Sequence, residues 1–259
     1  MRKWLDSLYE QLKSRGLANP DMKPDDVPCG TCSDLIPYVW KGEGRFHYWH
    51  KGVCVRCKEQ EKYDRLERRR CNVLKDAGVP PAFWNQTLDD PLPVDSHNEV
   101  IAERVAKWRS PEWIIAAGPV GTGKTTWLTS LFNTVVPSSN RWAGSRWVTE
   151  SSLFEQADIA HDRNGYTARQ ASVAPFIRAP LLLLDDIGAS RRSLTEWQGS
   201  AMRNLFDVRY SNGLPTLMTS NMSSPRELTS RYGGHIYSRM MSASGGVTHL
   251  GGSDRRIHG

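Results

Sequence analysis

Residues 112–135 read "EWIIAAGPVGTGKTTWLTSLFNTV", and this stretch decides the fold. "EWIIAAG" is a short apolar run of the kind that forms a strand buried on both faces. Gly118 to Thr125 then match the spacing G-x-x-x-x-G-K-[ST], and a helical stretch, "TTWLTSLFNTV", follows. Strand, glycine loop and helix in that order is the setting in which this spacing makes a phosphate cradle. Glycines let backbone N–H groups turn inward, and the start of the helix adds its positive end. The candidate nucleotide-binding residues are Gly118, Pro119, Val120, Gly121, Thr122, Gly123, Lys124, Thr125 and Thr126. Lys124 is expected to reach the β- and γ-phosphates, and the Thr125 hydroxyl to ligate Mg²⁺.

Outward from the loop, strand and helix patterns alternate. "SRWVTE", "APLLLLDD", "LPTLMTSN" and "GGVTHL" read as further strands. "SSLFEQADIA" and "WQGSAMRNLFDVRY" are among the helices between them. Such alternation implies an α/β fold with a parallel sheet covered on both faces. The run "LLLLDD" delivers Asp185 and Asp186 to a strand tip beside the phosphates. There Asp185 would hold Mg²⁺, and Asp186 would orient or deprotonate an attacking water. Asn221, closing "TSN", is the candidate for orienting water or sensing the γ-phosphate; by itself it reads rather as a strand-end turn residue.

The chain has 259 residues, room for an ordinary domain and a small one. Its net charge of +6 fits a polyanionic partner without identifying one. No apolar run approaches the ~18 residues needed to span a bilayer. The N-terminal "MRKWLDSLYEQLKSRG" is charged and periodic, with Trp4, Leu5, Leu8, Tyr9 and Leu12 at helical spacing and no apolar h-region. A cytoplasmic location is expected.

In that setting, paired thiols hold metal more often than they form disulfides. Cys29 and Cys32 form one C-x-x-C pair, Cys54 and Cys57 a second. Four such thiolates suit a tetrahedral structural Zn²⁺ site. His47 and His50 lie between the pairs as substitute ligands, whereas Cys71 stands apart, on a helical stretch. The intervening "RFHYWH" could belong to a hairpin. Tyr38, Trp40, Phe46, Tyr48 and Trp49 could be a contact face or the small module's core. The expected organisation is a helix and zinc-binding domain over 1–75, a connecting entry segment over 76–96, and the nucleotide-binding domain over 97–259.

Taken in order, these pieces resemble the AAA+ ATPases, and within them the DnaC/IstB-like group. "DAGVPPAFWNQTLDD" is similar to that group's entry segment, "GPVGTGKTT" to its phosphate loop, and "LLLLDDIG" to its acidic strand. "WQGSAMRNLFDVRYSNGLPTLMTSN" resembles its helix, R-Y turn and P-T-x-x-T-S-N strand. "GGHIYSRMM" matches an arginine-bearing helix and "GGSDRR" a terminal G-x-D-x-R-like end. The resemblance spans roughly residues 75–256. It implies a five-stranded parallel sheet in the order 5-1-4-3-2, ATP as ligand, and side-by-side oligomers. Where many AAA+ proteins have Asp-Glu this chain has Asp-Asp, as is usual in the group, and the shorter Asp186 side chain points to slow hydrolysis. The stretch after Arg239 is too short for a full helical lid. Arg239 would be an arginine finger reaching a neighbouring subunit's site, though on residue type alone it reads as a surface helix arginine. Arg255 would contact nucleotide.

The group contains loaders that carry a zinc-binding module ahead of the same core. The resemblance therefore implies an ATP-dependent loader that places a DnaB-like hexameric helicase on single-stranded DNA. The alternative is a transposition helper of the IstB type, which would bind duplex DNA and recruit a transposase. The core motifs do not separate the two; the N-terminal cysteines favour the loader.

Overall fold

The computed structural model describes residues 9–21, 23–43, 46–189, 193–222 and 224–255. Trp4, Leu5 and Leu8 of the expected N-terminal helix lie outside them, and residues 9–14 are helical. The chain divides into two compact units, Met1–Arg68 and Arg69–Gly259.

In the first unit, β1 (Val27–Pro28) pairs antiparallel with β2 (Leu35–Ile36). A hairpin follows, β3 (Tyr38–Glu43) against β4 (Phe46–Lys51), with Trp40 opposite Trp49. Cross-strand partners share a face. Trp40 and Trp49 meet edge-on at 5.3 Å, and His47 stacks on Trp40 at 6.1 Å. Trp49 also donates its indole N–H to Asn19 O at 2.8 Å. These half-buried rings supply much of the apolar packing of a unit too small for a conventional core.

The unit boundary falls inside α1 (Val55–Ala77), a strongly charged helix that carries Cys71. Beyond it the chain does more than connect. Val79 is buried, Phe83, Trp84, Leu88 and Leu92 pack against the same core, and Asn133 donates to Phe83 O and Gln86 O at 2.7 and 2.9 Å. The entry segment is thus a strap on the second unit, because its apolar residues are buried and its carbonyls partnered.

The remaining elements are α2 (Glu99–Lys107), β5 (Ile114–Ala117), α3 (Lys124–Val135), β6 (Arg146–Thr149), α4 (Glu150–Arg178), β7 (Leu182–Ile187), α5 (Glu196–Ser211), β8 (Thr216–Ser220), α6 (Pro225–Ser244) and β9 (Val247–His249). The sheet order is β6-β7-β8-β5-β9, and every pairing is parallel. Counting the five strands along the chain and reading from the β9 edge, this is the 5-1-4-3-2 arrangement expected. Strand alternation feeds two cores. Ile114, Ala116, Leu183 and Leu217 join α2 and α3 on one face. Ile115, Leu182, Leu184 and Met218 join α4, α5 and α6 on the other.

Two helices are broken by glycines with left-handed φ, α4 at Gly165 and α6 at Gly233. Arg209, from α5, is fully buried and donates to Thr216 Oγ1 and to the carbonyls of Phe176, Ala179 and Pro215 at 2.8, 3.0, 2.8 and 2.5 Å. It gathers the end of α4 and the start of β8 around one guanidinium, and burial lowers its pKa to about 9. No helix among the described residues is long and apolar enough to cross a membrane.

Candidate functional site

The glycine loop leaves β5 and enters α3 through Gly123, whose φ of 90° is open to glycine and strained for other residues. A Cβ there would also approach Leu92 Cδ1 to 2.9 Å. Lys124 is buried, its ammonium donating to Gly118 O at 2.9 Å and Pro119 O at 2.6 Å. Thr122 is also buried and donates to Pro119 O at 3.0 Å. These contacts set the loop's curvature.

A cavity of about 570 Å³ opens over the loop. It is lined by Val120, Gly121, Gly123, Lys124, Thr125 and Thr126 from the loop and helix, and by Asp185, Asp186, Thr219 and Asn221 from the tips of β7 and β8. Thr149, at the end of β6, and Phe83 and Leu92, from the entry strap, complete it together with Arg255.

Adjacent residues of a regular strand point to opposite faces, yet Asp185 and Asp186 both line this cavity. The β7–β8 register shifts between Leu184 and Ile187, and Asp186 has a φ of 55°. Aspartate tolerates that left-handed conformation better than most residues. Asp185 turns toward the loop, accepting from Thr125 Oγ1 at 2.9 Å and Thr219 Oγ1 at 2.6 Å. Asp186 turns toward Asn221, and its own N–H donates to Thr219 Oγ1 at 2.8 Å. Burial raises the pKa of Asp185 above the usual carboxylate range; the hydroxyls of Thr219 and Thr125 oppose this, and the neighbouring Asp186 charge adds to it. A buried carboxylate beside a threonine hydroxyl at the mouth of a phosphate loop is a donor set that fits Mg²⁺.

Arg255 reaches the cavity from the C-terminal segment. Its N–H donates to Gly121 O at 3.0 Å, and its guanidinium pairs with Asp95. Arg239 is elsewhere: on α6 it pairs through Nε with Asp207 Oδ1 at 2.9 Å and lies over the Tyr210 ring, outside the residues lining the cavity.

Sequence reading missed three features. Thr219 sits inside the quoted "TSN", where Asn221 is the sequence candidate, yet it is the Thr219 hydroxyl that bridges both acids. Thr149 and Phe83 belong to segments whose approach to the loop only the fold reveals. Behind the cavity, Glu150 is a buried carboxylate accepting from Gly188 N at 3.1 Å, Arg231 Nη2 at 2.6 Å and the Tyr232 hydroxyl at 2.5 Å. It ties α6 to the turn that follows the acidic strand, and no local motif announces it.

In the first unit the four cysteines converge. Cys29 and Cys57 sulfurs are 3.6 Å apart, Cys32 and Cys54 3.4 Å, Cys32 and Cys57 3.5 Å, with no disulfide among them. A tetrahedral ion with Zn–S bonds of about 2.3 Å needs sulfurs about 3.8 Å apart, so the cluster fits Zn²⁺. All four sulfurs lie within 4.8 Å of one another, and neither His47 nor His50 joins them. Backbone N–H groups of Cys32 and Thr31 lower the Cys29 pKa to about 6, whereas hydrogen bonds among the crowded sulfurs raise those of Cys32 and Cys57.

No protein-family profile matches the chain, and no curated protein matches it. Solved structures do. The chain is similar to the DnaC helicase loader, at TM-score 0.53 and 22% identity over 66% of this chain and 100% of that one. It is similar to DnaI, at TM-score 0.51 and 19% identity over 68% and 94%. A third likeness is to the replication initiator DnaA bound to AMPPCP and single-stranded DNA, at TM-score 0.50 and 22% identity over 67% and 51%. At such identities the likeness establishes the fold. The second unit is an α/β domain with the AAA+ fold, the architecture shared by the DnaC and DnaI helicase loaders and the DnaA initiator.

Proposed function

We propose that this protein is an ATP-dependent loader of a DnaB-like replicative helicase onto single-stranded DNA. The observation that carries the reading is the pairing of an AAA+ fold like that of the DnaC and DnaI loaders with a separate N-terminal unit built on four clustered thiols. The first unit would bind Zn²⁺ through Cys29, Cys32, Cys54 and Cys57 and grip the helicase.

In the second unit the loop from Gly118 to Thr126 would hold the phosphates of ATP, with Lys124 neutralising charge on the β- and γ-phosphates. Thr125 and Asp185 would hold Mg²⁺, which supplies further charge neutralisation when bound. Asp186 and Asn221 would position the attacking water, Asp186 accepting its proton as the bond to the γ-phosphorus forms and the bond to the departing ADP oxygen breaks. Arg239, held away from its own chain's cavity, would enter a neighbour's and stabilise charge on the transferring phosphoryl group. Hydrolysis would then require assembly of the chain into an oligomer. Arg255 would contact the bound nucleotide from the C-terminal segment.

The test is retention of a purified DnaB-like helicase by the full-length protein and by a chain beginning at residue 69. Retention by the first and not the second is expected. Failure of the full-length protein to retain helicase, with and without ATP, overturns the loader reading. The transposition-helper alternative shares the core but gives no role to the thiol cluster.

A further inference from the structure

The nucleotide cavity lies at the C-terminal ends of the parallel strands. Near the start of β6, at the opposite edge, four arginines come together. Arg69, on α1, donates from Nη2 to Asn140 Oδ1 at 3.1 Å. The next residue, Arg141, donates from Nη2 to Ser110 Oγ at 2.9 Å and lies over the Trp142 ring at 4.5 Å. Arg109, beside Ser110, donates to Trp108 O at 2.7 Å. Arg146, opening β6, donates to Ser145 O at 3.1 Å and Asp76 O at 3.3 Å. Beneath them the buried Trp108 and Trp142 rings pack at 6.0 Å. Arg69, Arg109 and Arg141 are exposed and Arg146 is half-buried.

Every acceptor in this set is neutral. Arg104, Arg169, Arg231, Arg239 and Arg255 each pair with a carboxylate, but among the described residues none of these four does. Glu112, the acid nearest in sequence to Arg109, is paired with Arg104, and Arg146 meets the carbonyl of Asp76. Gathering four cations without counter-charge adds nothing to folding stability; it creates a positive potential that a polyanion would neutralise. Each guanidinium is oriented by one or two of its five donors, leaving others for phosphate oxygens.

The rings at this edge are unsuited to stacking bases. Both tryptophans are buried, and Arg141 covers one of them. Single-strand binding leans on open aromatic platforms, whereas a duplex backbone offers phosphates alone. We infer that this edge binds the sugar-phosphate backbone of duplex DNA without reading its sequence. The inference goes beyond the functional reading above and holds whether or not helicase is the partner.

The test is fluorescence anisotropy of a labelled duplex of arbitrary sequence with the full-length protein, without nucleotide, over a salt series. Arg69→Ala, Arg109→Ala and Arg141→Ala are compared singly and combined. Each single change should lower the slope of log affinity against log salt by about 1, and the triple change by about 3, with nucleotide binding unaltered. If the triple variant fails to fold, Arg109→Glu alone should weaken duplex binding by about tenfold, since its side chain bonds only its neighbour's carbonyl. Unchanged affinity and slope in the folded variants overturns the inference. So does loss of binding to an acidic protein or a single strand while duplex binding stays intact.

Discussion

Asn221 donates from Nδ2 to Asp186 Oδ1 across 3.0 Å, joining the tips of β8 and β7 over the phosphate loop. In the proposed chemistry the pair would hold a carboxylate and an amide where an attacking water is aligned. Asp186→Asn keeps a side chain that tolerates the left-handed backbone and removes only the charge. ATP turnover should fall by about 10²-fold or more, with nucleotide affinity within about threefold of wild type. Phosphate release and a fluorescent-nucleotide titration check this; unchanged turnover would remove Asp186 from the proposed chemistry.

Asp185 is a buried carboxyl whose pKa is raised by that burial. A carboxyl with a folded pKa above its unfolded value binds more protons when folded. Its contribution is therefore most favourable in acid and is lost as pH rises from the unfolded value, about 3.9, through the folded one. Asp185→Asn keeps an oxygen to accept from Thr125 and Thr219. It should raise the melting temperature of the protein without Mg²⁺ by a few degrees at pH 7, with the gain shrinking as pH falls through the folded pKa and gone below about 4. Turnover should be lost. A melting temperature lowered at pH 7 would contradict the assignment.

Arg239 and the loop of its own chain belong to different sites in the proposed assembly. Lys124→Ala and Arg239→Ala should each reduce turnover by about 10²-fold or more, Arg239→Ala with nucleotide binding retained. Mixing the two variants should restore part of the activity, because the Lys124 variant still offers its finger to the Arg239 variant's intact loop. No recovery on mixing would argue for a role within one chain.

Metal analysis of the purified protein should find about one zinc per chain, lost in Cys29→Ser. The same variant should lose helicase retention while the second unit still melts cooperatively and binds nucleotide. Retained zinc in Cys29→Ser would displace that residue from the ligand set.

Arg209 serves the fold. Arg209→Met fills similar volume but removes the donor to the carbonyls of Phe176 and Ala179 and leaves Pro215 O only the Leu182 N–H at 3.3 Å. Destabilisation of at least about 3 kcal/mol is expected in denaturant unfolding. A loss below about 1 kcal/mol would show that water or other groups replace it.

The sheet was legible in the sequence because its strands are brief apolar runs between helical stretches, and the glycine loop marked the site. Asp185, Asp186 and Asn221 were legible as strand-tip residues. What escaped depended on backbone detail or distant pairing. The register shift at Asp186 leaves no compositional trace, so Thr219's link to both acids was invisible. Glu150 finds Arg231 and Tyr232 only after α6 folds over the sheet. The "VRY" stretch showed itself through resemblance, and the structure supplies its physical cause in the buried guanidinium of Arg209. The arginine edge is assembled from α1, the residues around 109 and the turn before β6, three segments that no linear pattern unites.

The left-handed residue at the end of β7 works as a one-step change of phase. Upstream of it, even and odd positions of the strand belong to different cores; at the tip, two neighbours point into the same chamber like the tines of a fork. Their separation is therefore fixed by main-chain torsion and tolerates no change in spacing. Inserting or deleting one residue at Asp186 would turn one tine back into the hydrophobic interior, so this interval is harder to alter than either side chain.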